Sequence, residues 1–143
     1  GVALMNAGAP DESLAHFKQA LIIHPRYASA YNNRGNVYQK LKRWDEAVAQ
    51  YEEALKLDPG FVLARYNLGT ILLRMGKIHE ARLHLEEVLK KEENNSDAHA
   101  NLAVALATQG MIPEAIRHLR RALEIDPSSR EAEQNLRRLL GTR

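Results

Sequence analysis

Residue types return every 34 positions along this chain. Pro25, Pro59 and Pro127 lie 34 residues, or a multiple of 34, apart, with Glu93 in the remaining slot. Ala20, Ala54, Val88 and Ala122 keep the same step, and so do Gly1, Gly35, Gly69 and Ala103. A fixed period of this length marks a stack of like units, each burying its apolar face only against its neighbours. Function in such a stack is to be sought on the faces left open rather than in one deep cleft.

One unit, residues 28–61, shows the internal plan. Ala30, Tyr31, Arg34, Gly35, Tyr38 and Leu41 recur at helical spacing and predict a first helix, A, over about residues 29–41. Trp44, Ala47, Val48, Tyr51, Ala54 and Leu55 predict a second, B, ending before Asp58-Pro59. Proline cannot continue a helix and turns the preceding residue away from helical geometry. Between A and B, Gly8, Gly76 and Gly110 share one repeat position with Lys42. Glycine there suits a left-handed residue after a helix end, and Lys42 must make the same turn less comfortably.

Gly35, Gly69 and Ala103 sit mid-helix, where Gly costs about 1 kcal/mol against Ala. The position makes sense if helix B crosses closely there. Ala47, Ala81 and Ala115 face it from B, with Ser13 in the first unit, and Phe17, Tyr51, Leu85 and Leu119 fill the space between. All of these are read as core.

Tyr31, Gly35, Tyr38, Ala47, Tyr51, Ala54 and Pro59, within one repeat, resemble the tetratricopeptide repeat pattern. The resemblance runs along the whole chain. It implies an all-α fold, a right-handed α-solenoid of antiparallel helix pairs, and a protein-interaction scaffold as function. The expected division is a partial repeat over 1–27, repeats over 28–61, 62–95 and 96–129, and a C-terminal capping helix over 130–143. Gly1 stands where Gly35 stands, so the chain is expected to be a fragment starting with half a helix (Gly1 to about Ala7) before a poorly covered helix B. Arg137 stands where Gly or Ala stood before, which suits a last helix with a polar outer face.

The resemblance also implies that helices A line a concave groove. Its positions here are Ser29, Asn32, Asn33, Asn36, Gln39 and Lys40. The next repeat supplies Leu63, Tyr66, Asn67, Thr70, Leu73 and Arg74, and the one after it Asp97, Ala100, Asn101, Val104, Ala107 and Thr108. Asn33, Asn67, Asn101 and Asn135 follow one another at the full period. A primary amide both donates and accepts, so a ladder of them could pair with the backbone of an extended peptide. It is similar to the asparagine ladder of O-linked N-acetylglucosamine transferases. Alternatively these amides bridge neighbouring helices A. The family's carboxylate clamp is not expected: Asn36 and Asn67 fit its two Asn places, but Asn32, Asp97 and Asn101 replace its Lys, Lys and Arg. Asp97 would repel a terminal carboxylate. The expected occupant is a peptide or helical segment of a partner protein, resting on the apolar middle at Leu63, Tyr66, Leu73 and Val104.

Other classes find less support. The chain has 143 residues, 45% apolar and 27% charged, with a formal charge of +2, which makes no case for nucleic acid. No apolar run approaches membrane-spanning length, so no direct membrane insertion is expected. Cysteine is absent, which excludes disulfides and thiolate metal ligation and leaves the compartment open. His16, His84 and His118 share a repeat position, but successive repeats lie about 10 Å apart, too far for one ion. No nucleophile–base cluster or phosphate loop appears, so neither an enzyme nor a cofactor is expected. Two alternatives stay open: a substrate-capture or targeting domain of a larger enzyme such as a glycosyltransferase, and self-association through the N-terminal edge.

Overall fold

The computed structural model describes residues 9–141. Among them are eight helices: α1 Pro10–Ile23, α2 Ala28–Lys40, α3 Trp44–Leu57, α4 Val62–Arg74, α5 Ile78–Lys91, α6 Ser96–Thr108, α7 Ile112–Ile125 and α8 Arg130–Leu140. The described residues contain no strand. The half helix expected at the start, and the turn at Gly8, lie outside the described residues.

The punctuation is local. Helix α3 stops at Leu57, and the Asp58 carboxylate then accepts the Gly60 N–H at 3.0 Å, closing a side-chain turn around Pro59. Asp126 does the same for the Ser128 N–H at 3.0 Å, around Pro127. Where Glu93 replaces proline, Asn95 takes over and caps α6 by accepting the Ala98 N–H at 2.9 Å. Between helices A and B, Gly76 and Gly110 are left-handed at φ 76° and 79°, and Lys42 adopts the same conformation at φ 58°. The strain expected at Lys42 is therefore present.

The chain divides into two compact units, Gly1–Ile71 and Leu72–Arg143, with the boundary inside α4. In the first, α1 packs on α2 through Phe17, Leu21, Ala30 and Val37, flanked by Leu14, Tyr31 and Leu41. Helix α3 lies against α2 with Ala47, Tyr51 and Ala54 fully buried. Small residues and one aromatic ring alternate along this seam, which lets the two backbones approach.

In the second unit, α5, α6 and α7 bury Leu85 and Val88, Leu102 and Leu106, and Leu119 and Ala122. Each leucine of this kind, taken fully from water, contributes about 1.5–3 kcal/mol. Helix α8 buries only Ala132 fully. Ser129 caps it by accepting the Ala132 N–H at 3.3 Å, and Gly141 ends it in a left-handed turn. Arg137 is exposed and reaches Glu133 at 2.5 Å, as suits a helix whose outer face stays in water.

Candidate peptide-binding faces

In the first unit the polar residues of α2 and α4 converge. Asn67 Nδ2 donates to Asn32 Oδ1 at 3.0 Å and to Asn36 Oδ1 at 3.2 Å. The Asn36 oxygen is also a target of the Tyr51 hydroxyl at 2.8 Å, with Gln39 Oε1 a second acceptor at 2.8 Å. One phenolic proton serves both acceptors in turn. Burial pushes the Tyr51 phenol well above its ordinary range, so it stays neutral and donates. Asn36 thus ties α2 to α3 through Tyr51 and to α4 through Asn67.

This network corrects one expectation about exposure. Asn32 is only 1% exposed, so its amide belongs to the α2–α4 seam rather than to an open groove wall. Ala100, also placed in the groove by resemblance, is buried at 6%.

The asparagines of the full period are not equivalent. Asn67 is a strut between α2 and α4. Asn33 is half-buried and makes no side-chain hydrogen bond among the described residues. Asn101 is half-buried, and Asn135 accepts from Arg138 Nη2 at 3.1 Å.

The apolar candidates divide between the units. Leu63 is 54% exposed, and Tyr66 is half-buried one turn further along α4, on the side that also carries Asn67 and Thr70. Thr70 turns its hydroxyl onto the Tyr66 carbonyl at 2.9 Å. In the second unit Leu73 and Val104 are half-buried and Arg74 is exposed. Arg43 and Arg34 both approach the Tyr38 ring, at 4.8 and 5.6 Å, and Arg34 Nη2 donates to the Tyr38 hydroxyl at 3.2 Å.

Sequence reasoning missed three side-chain contacts. Tyr51 was placed in the core without its polar partners Asn36 and Gln39. His118 was treated with its repeat equivalents, whereas its partner is His99, with the two Nδ1 atoms 2.8 Å apart. A signal existed, since His99 holds the repeat position of Tyr31, one of the residues recurring at helical spacing in helix A.

Comparison with known proteins agrees with this architecture. Family profiles described as Tetratricopeptide repeat match residues 28–61 and 66–130, and one described as TPR repeat matches residues 1–42. The chain belongs to the tetratricopeptide repeat family. Its fold is the all-α solenoid fold of that family, and the family consists of protein-binding scaffolds. The search of curated proteins returns no match.

Among solved structures, the MamA segment from residue 41 to its end, from Desulfovibrio magneticus RS-1, superposes with a TM-score of 0.91 at 23% identity. That match covers 96% of this chain and 77% of the other. YrrB, described as a TPR protein with an unusual peptide-binding site, gives 0.85 at 27% identity, over 97% of this chain and 72% of that one. The first TPR of Spaghetti (RPAP3), bound to the HSP90 peptide SRMEEVD, gives 0.77 at 24% identity, covering 80% and 90%.

Proposed function

We propose that this tetratricopeptide repeat chain binds an extended or helical segment of a partner protein on the open faces of its helices A. The observation that carries the reading is Leu63, 54% exposed beside Tyr66 on a face whose amides are locked into position by the Asn32–Asn67–Asn36 network. An apolar residue held open next to ordered polar groups provides anchoring and orientation together. The likeness to YrrB, whose description names a peptide-binding site, supports the same reading.

In the first unit the bound segment rests apolar side chains on Leu63 and Tyr66, and its backbone amides meet Asn33. In the second unit Leu73, Arg74, Asn101, Val104 and Asn135 are the corresponding candidates. Asn32, Asn36 and Thr70 serve by holding the face rather than by touching the ligand. The test is to select a binder from a random peptide library and map its footprint by backbone amide shifts. Perturbations concentrated on α2 and α4, or on α6 and α8, are expected. A footprint confined to helices B refutes the proposal.

A second reading, self-association, has its own support. Ile22, Ile23 and Tyr27 are 66%, 62% and 53% exposed at the end of α1, an apolar cluster that a second copy could cover. Mass measured against concentration separates it from a monomeric binder.

A further inference from the structure

The second unit contains a buried titratable pair that peptide binding does not use. His99, on α6, is 8% exposed, and His118, on α7, is half-buried. Their rings lie 5.1 Å apart between centroids, with Nδ1 facing Nδ1 at 2.8 Å. His99 Nε2 lies 2.9 Å from the Glu93 carbonyl oxygen.

The carbonyl decides the protons. It can only accept, so His99 carries its proton on Nε2. Neutral His99 then offers a bare Nδ1, and His118 must donate from its own Nδ1. In the neutral pair both ring N–H groups then have acceptors, the Glu93 carbonyl and His99 Nδ1. A first added proton can enter at His118 Nε2 without breaking the contact. A second has only His99 Nδ1 left, which would set N–H against N–H across 2.8 Å. We propose that His99 and His118 form a proton-limited latch between α6 and α7, closed when the pair holds no more than one extra proton and forced open by the second.

The surrounding charges act in the same setting. On α7, Arg117 disfavours charge on His118, and Glu114 lines the same crevice. From α5, Glu86 favours that charge, while Arg82 and Lys90 line the crevice with it. Burial, then His99, then Arg117 outweigh Glu86 and hold the His118 imidazole below its ordinary range. A histidine depressed in the folded state binds its proton more readily when unfolded. The folded chain therefore binds this first proton on His118 more weakly than the unfolded one, so stability falls as the pH drops below about 6.5, while opening of the latch waits for the second proton.

The direct test is a long-range proton–nitrogen correlation spectrum of the histidine rings of the intact protein, followed from about pH 8 to pH 5. The expected result is His118 in the Nδ1–H tautomer and His99 in the Nε2–H tautomer at neutral pH, with His118 gaining its Nε2 proton only below the ordinary histidine range. Both rings in the Nε2–H form, or His118 titrating at the ordinary histidine value, overturn the proposal. In parallel, His118→Gln keeps a donor toward His99 but cannot titrate. The fall in urea midpoint on acidification is expected to be smaller in this variant than in the parent, and an equal fall contradicts the latch. Should the variant fail to fold, the ring spectrum of the unaltered protein still decides.

Discussion

Gly35 lies so close to Tyr51 that a Cβ at residue 35 would sit 2.6 Å from Cε1 of the ring. The ring cannot retreat, being fully buried with its hydroxyl bonded to Asn36 and Gln39. Gly35→Ala gains about 1 kcal/mol of helix propensity. Overpacking costs typically 1–3 kcal/mol, and more where nothing yields. A net loss of about 1–2 kcal/mol is expected in urea unfolding, whereas propensity alone would give a gain.

Tyr51→Phe removes the proton shared by Asn36 and Gln39 while keeping the ring. Gln39 Oε1 then loses its donor while Asn36 Oδ1 keeps Asn67, and a cost of about 1 kcal/mol is expected. The pH dependence follows from the raised phenol. A folded state that holds its proton more tightly than the unfolded chain loses stability as the pH rises past about 10. Tyr51 is expected to ionise only together with unfolding, visible as phenolate absorbance that tracks the loss of helical circular dichroism.

Lys42 occupies the left-handed turn that Gly76 and Gly110 occupy in the later repeats. A side chain in that conformation costs about 1 kcal/mol that glycine does not incur, partly offset by the greater freedom of glycine when unfolded. Lys42→Gly is expected to stabilise the protein by about a few tenths of a kcal/mol, read as a small rise in Tm.

Asn67 and Asn33 share a repeat position yet should respond differently. Asn67→Ala strips the donor from Asn32, whose oxygen is then buried without a partner, at a cost of about 1–3 kcal/mol. Asn33→Ala removes no internal hydrogen bond and should change stability by no more than about 0.5 kcal/mol. Equal effects in thermal unfolding would contradict the distinction between strut and open amide.

The period made the architecture readable because packing imposes it. Gly35 against Tyr51, and Ala47 and Ala54 beneath α2, recur for steric reasons, and steric requirements leave a mark in every repeat. Even the uncomfortable turn at Lys42 was visible as an exception to a glycine position. The polar contacts were less readable. Asn33 and Asn67 look identical along the sequence, but Asn67 reaches α2 because Asn32 and Asn36 stand opposite it. His99 and His118 occur together in a single repeat, with Tyr31 and Gln50 in the equivalent places of another, so no periodicity announces them. Contacts formed by one repeat's own residues depend on three-dimensional register, which a pattern of residue types does not carry.

Partner peptides are proposed to bind on the faces of helices A. The most direct measurement is calorimetric titration of one library-selected peptide against the parent chain and three variants: Tyr66→Ala, Asn33→Ala, and Leu83→Ala on α5 as a helix-B control. Tyr66→Ala is expected to weaken binding about tenfold or more, equivalent to about 1.4 kcal/mol. Asn33→Ala should weaken it less, and Leu83→Ala should leave it unchanged. Unchanged affinity in both helix-A variants, with a loss at Leu83, would contradict the claim.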